Sequence, residues 1–77
     1  MKITVTNNDI NRGYRHSCSN CPVALAMRRA FNRSILVAGI YWEFSGETEH
    51  HAMPLTVREW IRAFDDGGLV EPFEFDV

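Results

Sequence analysis

Apolar and polar residues alternate at the start of the chain, where Lys2-Ile3-Thr4-Val5-Thr6 reads as a short strand with Ile3 and Val5 turned inward. Asn7-Asn8-Asp9 brings turn chemistry, and residues 10–17, punctuated by Gly13, carry no period and read as irregular. The spacing then becomes helical. Pro22 suits a first helical position, because its missing N–H has no intrahelical partner there, which makes Cys21 the N-cap. Val23, Ala26, Met27 and Ala30, with Phe31 beside them, carry this helix to residue 31 or 32.

The segment ILVAGIYWEFS, residues 35–45, predicts one long strand. Leu36, Ala38, Ile40, Trp42 and Phe44 form its apolar face, and Gly39 marks a bulge or bend. Ser45-Gly46 offers a hairpin turn into a weaker return strand over residues 48–54, which Pro54 confines to an edge. Thr56-x-x-Glu59 has the form of a capping box, and Leu55 with Trp60 that of a hydrophobic staple. Val57, Trp60, Ile61 and Phe64 follow the i, i+3, i+4, i+7 rule for a buried helical face. Their expected counterpart is the Trp42 and Phe44 stripe. Gly67-Gly68 stops this helix, and Phe73, Phe75 and Val77 alternate with Glu74 and Asp76 in a closing strand.

The resulting order is β-α-β-β-α-β, an α+β chain of ferredoxin-like or related two-layer sandwich type. At 77 residues it makes a single domain over 1–77. Its 45% hydrophobic and 23% charged content is that of a globular chain. No apolar run has the length of a membrane span, and MKITVTNND lacks the apolar core of a signal peptide. The expected location is therefore the cytoplasm, where thiols stay reduced.

Net charge is −2, unevenly spread. Residues 1–33 hold six cations against Asp9, a net +5, whereas residues 34–77 hold two cations against nine acids, a net −7. Such asymmetry suits separate faces for partners of opposite charge, unless the two halves mingle on the folded surface.

The two cysteines, Cys18 and Cys21, have the C-x2-C spacing of half a zinc site, which His16 or His50 and His51 would extend. A zinc signature has two such pairs, so a second would have to come from a homodimer. A redox reading meets the difficulty that the second cysteine, not the first, opens the helix. The plainest reading is that the thiols pack as small hydrophobes. There is no glycine-rich phosphate loop, no H-E-x-x-H and no nucleophile elbow. His50 and His51, adjacent on a strand, point to opposite faces and do not act together. No active site emerges. Arg15, Arg28, Arg29, Arg33 and the Asp65-Asp66 pair at a helix end are the candidate partner contacts. Nucleic-acid binding through Arg28, Arg29 and Arg33 ranks third, since the chain is acidic overall and only Tyr41 is offered for base stacking.

With these elements placed, I-T-V-T-x3-I at 3–10, C-S-N-C-P-V-A-L-A at 18–26, W-I-R-A-F-D-D-G at 60–67 and P-F-E-F at 72–75 bring out a resemblance. The chain resembles a group of small proteins from phages and phage-bearing bacteria. That resemblance carries no catalytic residues, but it implies a context in which compact proteins bind and modulate a host or defence component. The expectation is a non-enzymatic protein-binding module with a host or phage protein as partner, against a zinc-stabilised or thiol-redox domain as the alternative.

Overall fold

Helix propensity, caps and turns divide the chain into eight elements, described for residues 1–77 by a computed structural model. They are β1 (Lys2–Val5), α1 (Asn7–Arg12), α2 (Pro22–Phe31), β2 (Ile35–Val37), β3 (Tyr41–Phe44), β4 (His51–Ala52), α3 (Leu55–Asp65) and β5 (Phe73–Asp76). The α+β class stands, but the strands do not join into the single sheet of a ferredoxin-like arrangement. β1 and β5, the two ends of the chain, pair antiparallel, and β2-β3-β4 form a separate antiparallel sheet. Helix α2 packs on β1, α1 and β2, and so ties the two sheets together. No helix is long and apolar enough to cross a membrane.

β1 turns Ile3 and Val5 fully inward and leaves Lys2 and Thr4 outside, as period-2 alternation requires. Helix α1 departs from the irregular segment expected there. Thr6 is its N-cap: the Thr6 Oγ1 accepts from the Asp9 amide at 3.2 Å, and Asp9 Oδ2 accepts from the Thr6 amide at 2.9 Å. The reciprocal bonds are those of a capping box, with aspartate in place of the usual Glu or Gln. Gly13 follows, where the chain presses against the next helix: a Cβ there would lie 2.6 Å from Pro22 Cδ. Only glycine permits that approach.

Helix α2 begins as expected. Cys21 caps it, its Sγ accepting from the Ala24 amide at 3.4 Å, and Pro22 takes the first turn. Its buried face is Val23, Ala24, Ala26 and Met27, whereas Ala30 lies exposed. Asn32 ends the helix in the left-handed region, at φ 54°.

The apolar run 35–45 is the largest departure. It is not one strand but a hairpin, reversed at Gly39, whose φ of +86° is open to glycine at little cost. Ala38 donates to the Tyr41 carbonyl at 2.9 Å to close the turn. Register then pairs Val37 with Trp42 and Ile35 with Phe44, and cross-strand partners share a face. The core side is therefore Ile35, Val37 and Trp42, with Phe44 half-buried, and Ala38 and Ile40 are left exposed. The return strand shrinks to His51–Ala52. As expected, the two histidines part: His50 stacks on Tyr41 at 4.0 Å and His51 on Trp42 at 4.4 Å.

Helix α3 starts two residues earlier than a Thr56 cap would place it. Pro54 is the N-cap, with no side-chain bond, and Leu55 is 62% exposed, so neither the capping box nor the staple forms. At the other end Gly67, at φ +83°, and Gly68 donate to the carbonyls of Phe64 and Ala63, a Schellman closure. Val57, Ile61 and Phe64 are buried. The aromatic stripe does not meet Trp42. Trp60 stacks on Phe64 at 5.8 Å and on Phe73 of β5 at 4.8 Å, and its Nε1 donates to the Glu71 carbonyl at 2.9 Å. Trp42 lies instead against Phe31 at 5.4 Å and Phe44 at 5.3 Å. The hairpin reversal accounts for this separation, because it turns β3 back toward α2.

Candidate functional site

Four residues at helical spacing, Leu55, Arg58, Glu59 and Arg62, mark the face of α3 opposite its buried stripe. With Asp65 and Asp66 they form one wall of a groove of about 400 Å³, the other wall being the β2–β3 turn at Gly39 and Ile40 together with His16. Ile40 and Leu55 are 61% and 62% exposed, so the groove carries two large apolar side chains within a charged rim. A smaller recess of about 280 Å³ continues it past Ile61 and Asp65 to Ser17, Cys18, Cys21, Val37 and Ala38.

The loop 13–20 is held in place by backbone bonds. Tyr14 donates to the Asn20 carbonyl at 2.9 Å, Asn20 donates to Ser17 Oγ at 3.0 Å, and the Val37 amide donates to the Cys18 carbonyl at 2.8 Å. His16 sits at φ 57°. Its amide donates to Asp65 Oδ1 at 2.9 Å, across 49 positions of sequence, and its Nδ1 lies 3.8 Å from Asp65 Oδ2. The protonated imidazole would thus add an ion pair to a contact that the backbone already makes.

His16, Cys18 and Cys21 come to the same recess as Asp65, but they do not assemble a metal centre: no three His, Cys, Asp or Glu side chains stand in an arrangement that could hold an ion. Cys21 is enclosed and committed to capping α2, whereas Cys18 is exposed. Burial, above all, pushes the Cys21 thiol upward from 9.0, against hydrogen bonds from Ala24 and Val23 that favour the thiolate. A thiol raised in this way is a poor nucleophile at neutral pH.

The arginines put forward as partner contacts are dispersed. Arg29 is structural: its Nη1 and Nη2 each donate to the Asp9 carboxylate at 2.8 Å, and Nη2 also donates to the Thr4 carbonyl at 2.9 Å. Asp9, at 3% exposure, is thereby fully partnered. Burial raises its pKa, but the Arg29 and Thr6 hydrogen bonds and the Arg29 charge outweigh that and hold it below 3.8. Arg33 pairs with Glu47 and lies 3.8 Å over the Phe44 ring. Arg15 reaches toward Gly67, where a Cβ would lie 3.6 Å from its Nη2. Arg28 alone of the α2 pair stays free of a carboxylate, beside Arg12. Of the sequence candidates, His16, Cys18, Cys21, Asp65 and Asp66 gather along the groove and its recess, while Arg28, Arg29 and Arg33 go elsewhere. The i, i+3, i+4, i+7 spacing of Leu55, Arg58, Glu59 and Arg62 was the overlooked signal.

Comparison with protein-family models, with curated proteins and with solved structures finds no match.

Proposed function

We propose that the protein is a small non-enzymatic binding module that acts by seating a surface of a larger protein in the groove between α3 and the β2–β3 turn. The observation that carries this reading is the anatomy of the groove: Ile40 and Leu55 stand exposed inside a rim of Arg58, Glu59, Arg62, Asp65 and Asp66. An apolar centre ringed by charges of both signs is how protein interfaces are built. Two of the segments behind the phage resemblance, 18–26 and 60–67, also line the same recess through Cys18, Cys21, Ile61 and Asp65. With the resemblance to phage proteins, a host or defence component is the partner class we propose for it.

The test is affinity capture from a bacterial lysate with the wild type and a Leu55→Asp/Arg62→Glu variant side by side. The expected result is a protein retained in stoichiometric amount by the wild type and lost by the variant, with melting unchanged. Retention of the same proteins by both would reject the groove as the contact surface.

A further inference from the structure

A second concavity, of about 430 Å³, shares no residue with the groove and lies where the end of α1 and residues 13–20 meet the flank of α2. Arg12 and Arg28 both line it, with Asn11, Asn20, Tyr14 and Leu25, and no Asp or Glu does. Neither arginine enters any of the six ion pairs of the fold. The neighbouring Arg29 shows what α2 does with a structural guanidinium: it is forked onto the buried Asp9. Arg28 is half-buried with no such acid, and it lines an open pocket.

We propose that this pocket binds a nucleoside phosphate. Two guanidiniums from different elements suit a phosphate, whose oxygens accept a fork from each side, and the amides of Asn11 and Asn20 supply polar groups beside them. The space exceeds what a bare phosphate fills and lies in the range of small-ligand sites. Tyr14 is 69% exposed and packs on no other aromatic ring, which leaves its face for a base. Leu25 offers an apolar wall beneath. A net negative chain that keeps one acid-free, arginine-lined pocket concentrates its anion attraction there.

Calorimetric titration of the full chain with adenosine and uridine 5′-monophosphates, inorganic phosphate, adenosine and a single-stranded octanucleotide tests this. Both mononucleotides should bind, inorganic phosphate more weakly and adenosine not at all. Arg28→Gln and Arg12→Gln should each weaken nucleotide binding about tenfold or more, the loss expected for a charged hydrogen-bond donor. Tyr14→Ala should reduce the nucleotide to the affinity of inorganic phosphate. Lys2→Gln, which removes a positive charge outside the pocket, should leave binding unchanged. An octanucleotide bound more tightly, with the same dependence on Arg28, would identify a strand rather than a free nucleotide as the source of the phosphate. No binding, binding insensitive to both arginine variants in folded protein, adenosine bound as well as its phosphate, or preference for a phosphoserine peptide over nucleotides would overturn the proposal.

Discussion

Helices α2 and α3 differ by one residue in length, 10 against 11, and are used in opposite ways. α2 spans both sheets and α1, encloses Val23, Ala24, Ala26 and Met27, and is capped by a side chain. α3 buries a narrower stripe of Val57, Ile61 and Phe64, starts at Pro54 without a side-chain cap, and shows its other face to the groove. The lesson is positional. A helix between two sheets carries the core and leaves only a flank, with Leu25 and Arg28, to the surface, whereas a helix laid over one side keeps a whole face for contacts. The arginines follow the same rule, Arg29 being drawn into the fold and Arg62 left at a rim.

The deepest break in this contrast should come from α2. Met27 is fully buried where the helix meets the core, so Met27→Ala should cost about 2–5 kcal/mol, a large share of the ~5–15 kcal/mol of a small domain. Urea unfolding should show a lower midpoint with an unchanged slope. The corresponding change on α3, Trp60→Ala, should cost less, about 1–3 kcal/mol, because Trp60 is only half-buried at the edge of a satellite aromatic cluster. Equal losses would mean that α3 is as central as α2.

The Asp9–Arg29 fork sharpens the comparison through pH. With its folded pKa depressed below 3.8, Asp9 contributes stability that is present above its unfolded pKa and is lost as pH falls through the folded one. Asp9→Asn should therefore destabilise by about 1–3 kcal/mol at pH 7, with Arg29 half-exposed and partly solvated. The gap from wild type should close in acid below about pH 4. A gap that stays constant down to pH 2 would remove the carboxylate from the account.

Cys21 gives a smaller, alkaline effect with the opposite sign. Its folded pKa is raised, so the stability tied to the protonated thiol is complete below 9.0 and falls as pH rises from there through the folded value. Cys21→Ser keeps a capping oxygen and should melt close to wild type at pH 7, yet lose less stability as pH rises above 9.0. An identical alkaline decline in both proteins would show that the thiol does not titrate with unfolding.

Much of the fold was legible where one local signal decided the outcome. Ile3 and Val5 in β1, the Cys21-Pro22 start of α2 and the Phe73–Phe75 alternation stand as read, and the expected α3 stripe stands at Val57, Ile61 and Phe64 with Trp60 only half-buried. The misreadings share a cause. In residues 35–45 the apolar positions fit one strand as well as two, and only the reversal at Gly39 changes which parity faces the core. In α1 a single half-buried Ile10 gave no period, and an aspartate stood where a Glu or Gln would announce a capping box. The site was harder. The contact of His16 with Asp65 spans 49 positions and that of Arg29 with Asp9 spans 20, so no window of sequence contains either pair.

The central claim, that the fold depends on α2 through its buried face and the Asp9–Arg29 fork while the outer face of α3 contributes little to stability, is tested most directly by thermal melting of Arg29→Gln and Arg62→Gln at neutral pH. Arg29→Gln leaves the buried Asp9 carboxylate without its fork and should lower the midpoint by several degrees, since about 1 kcal/mol shifts a domain of this size by about 4–8 °C. Arg62→Gln removes an exposed guanidinium that makes no ion pair and should melt within about a degree or two of wild type. A midpoint for Arg62→Gln as low as that of Arg29→Gln, or no loss in Arg29→Gln, would contradict the division between the two helices.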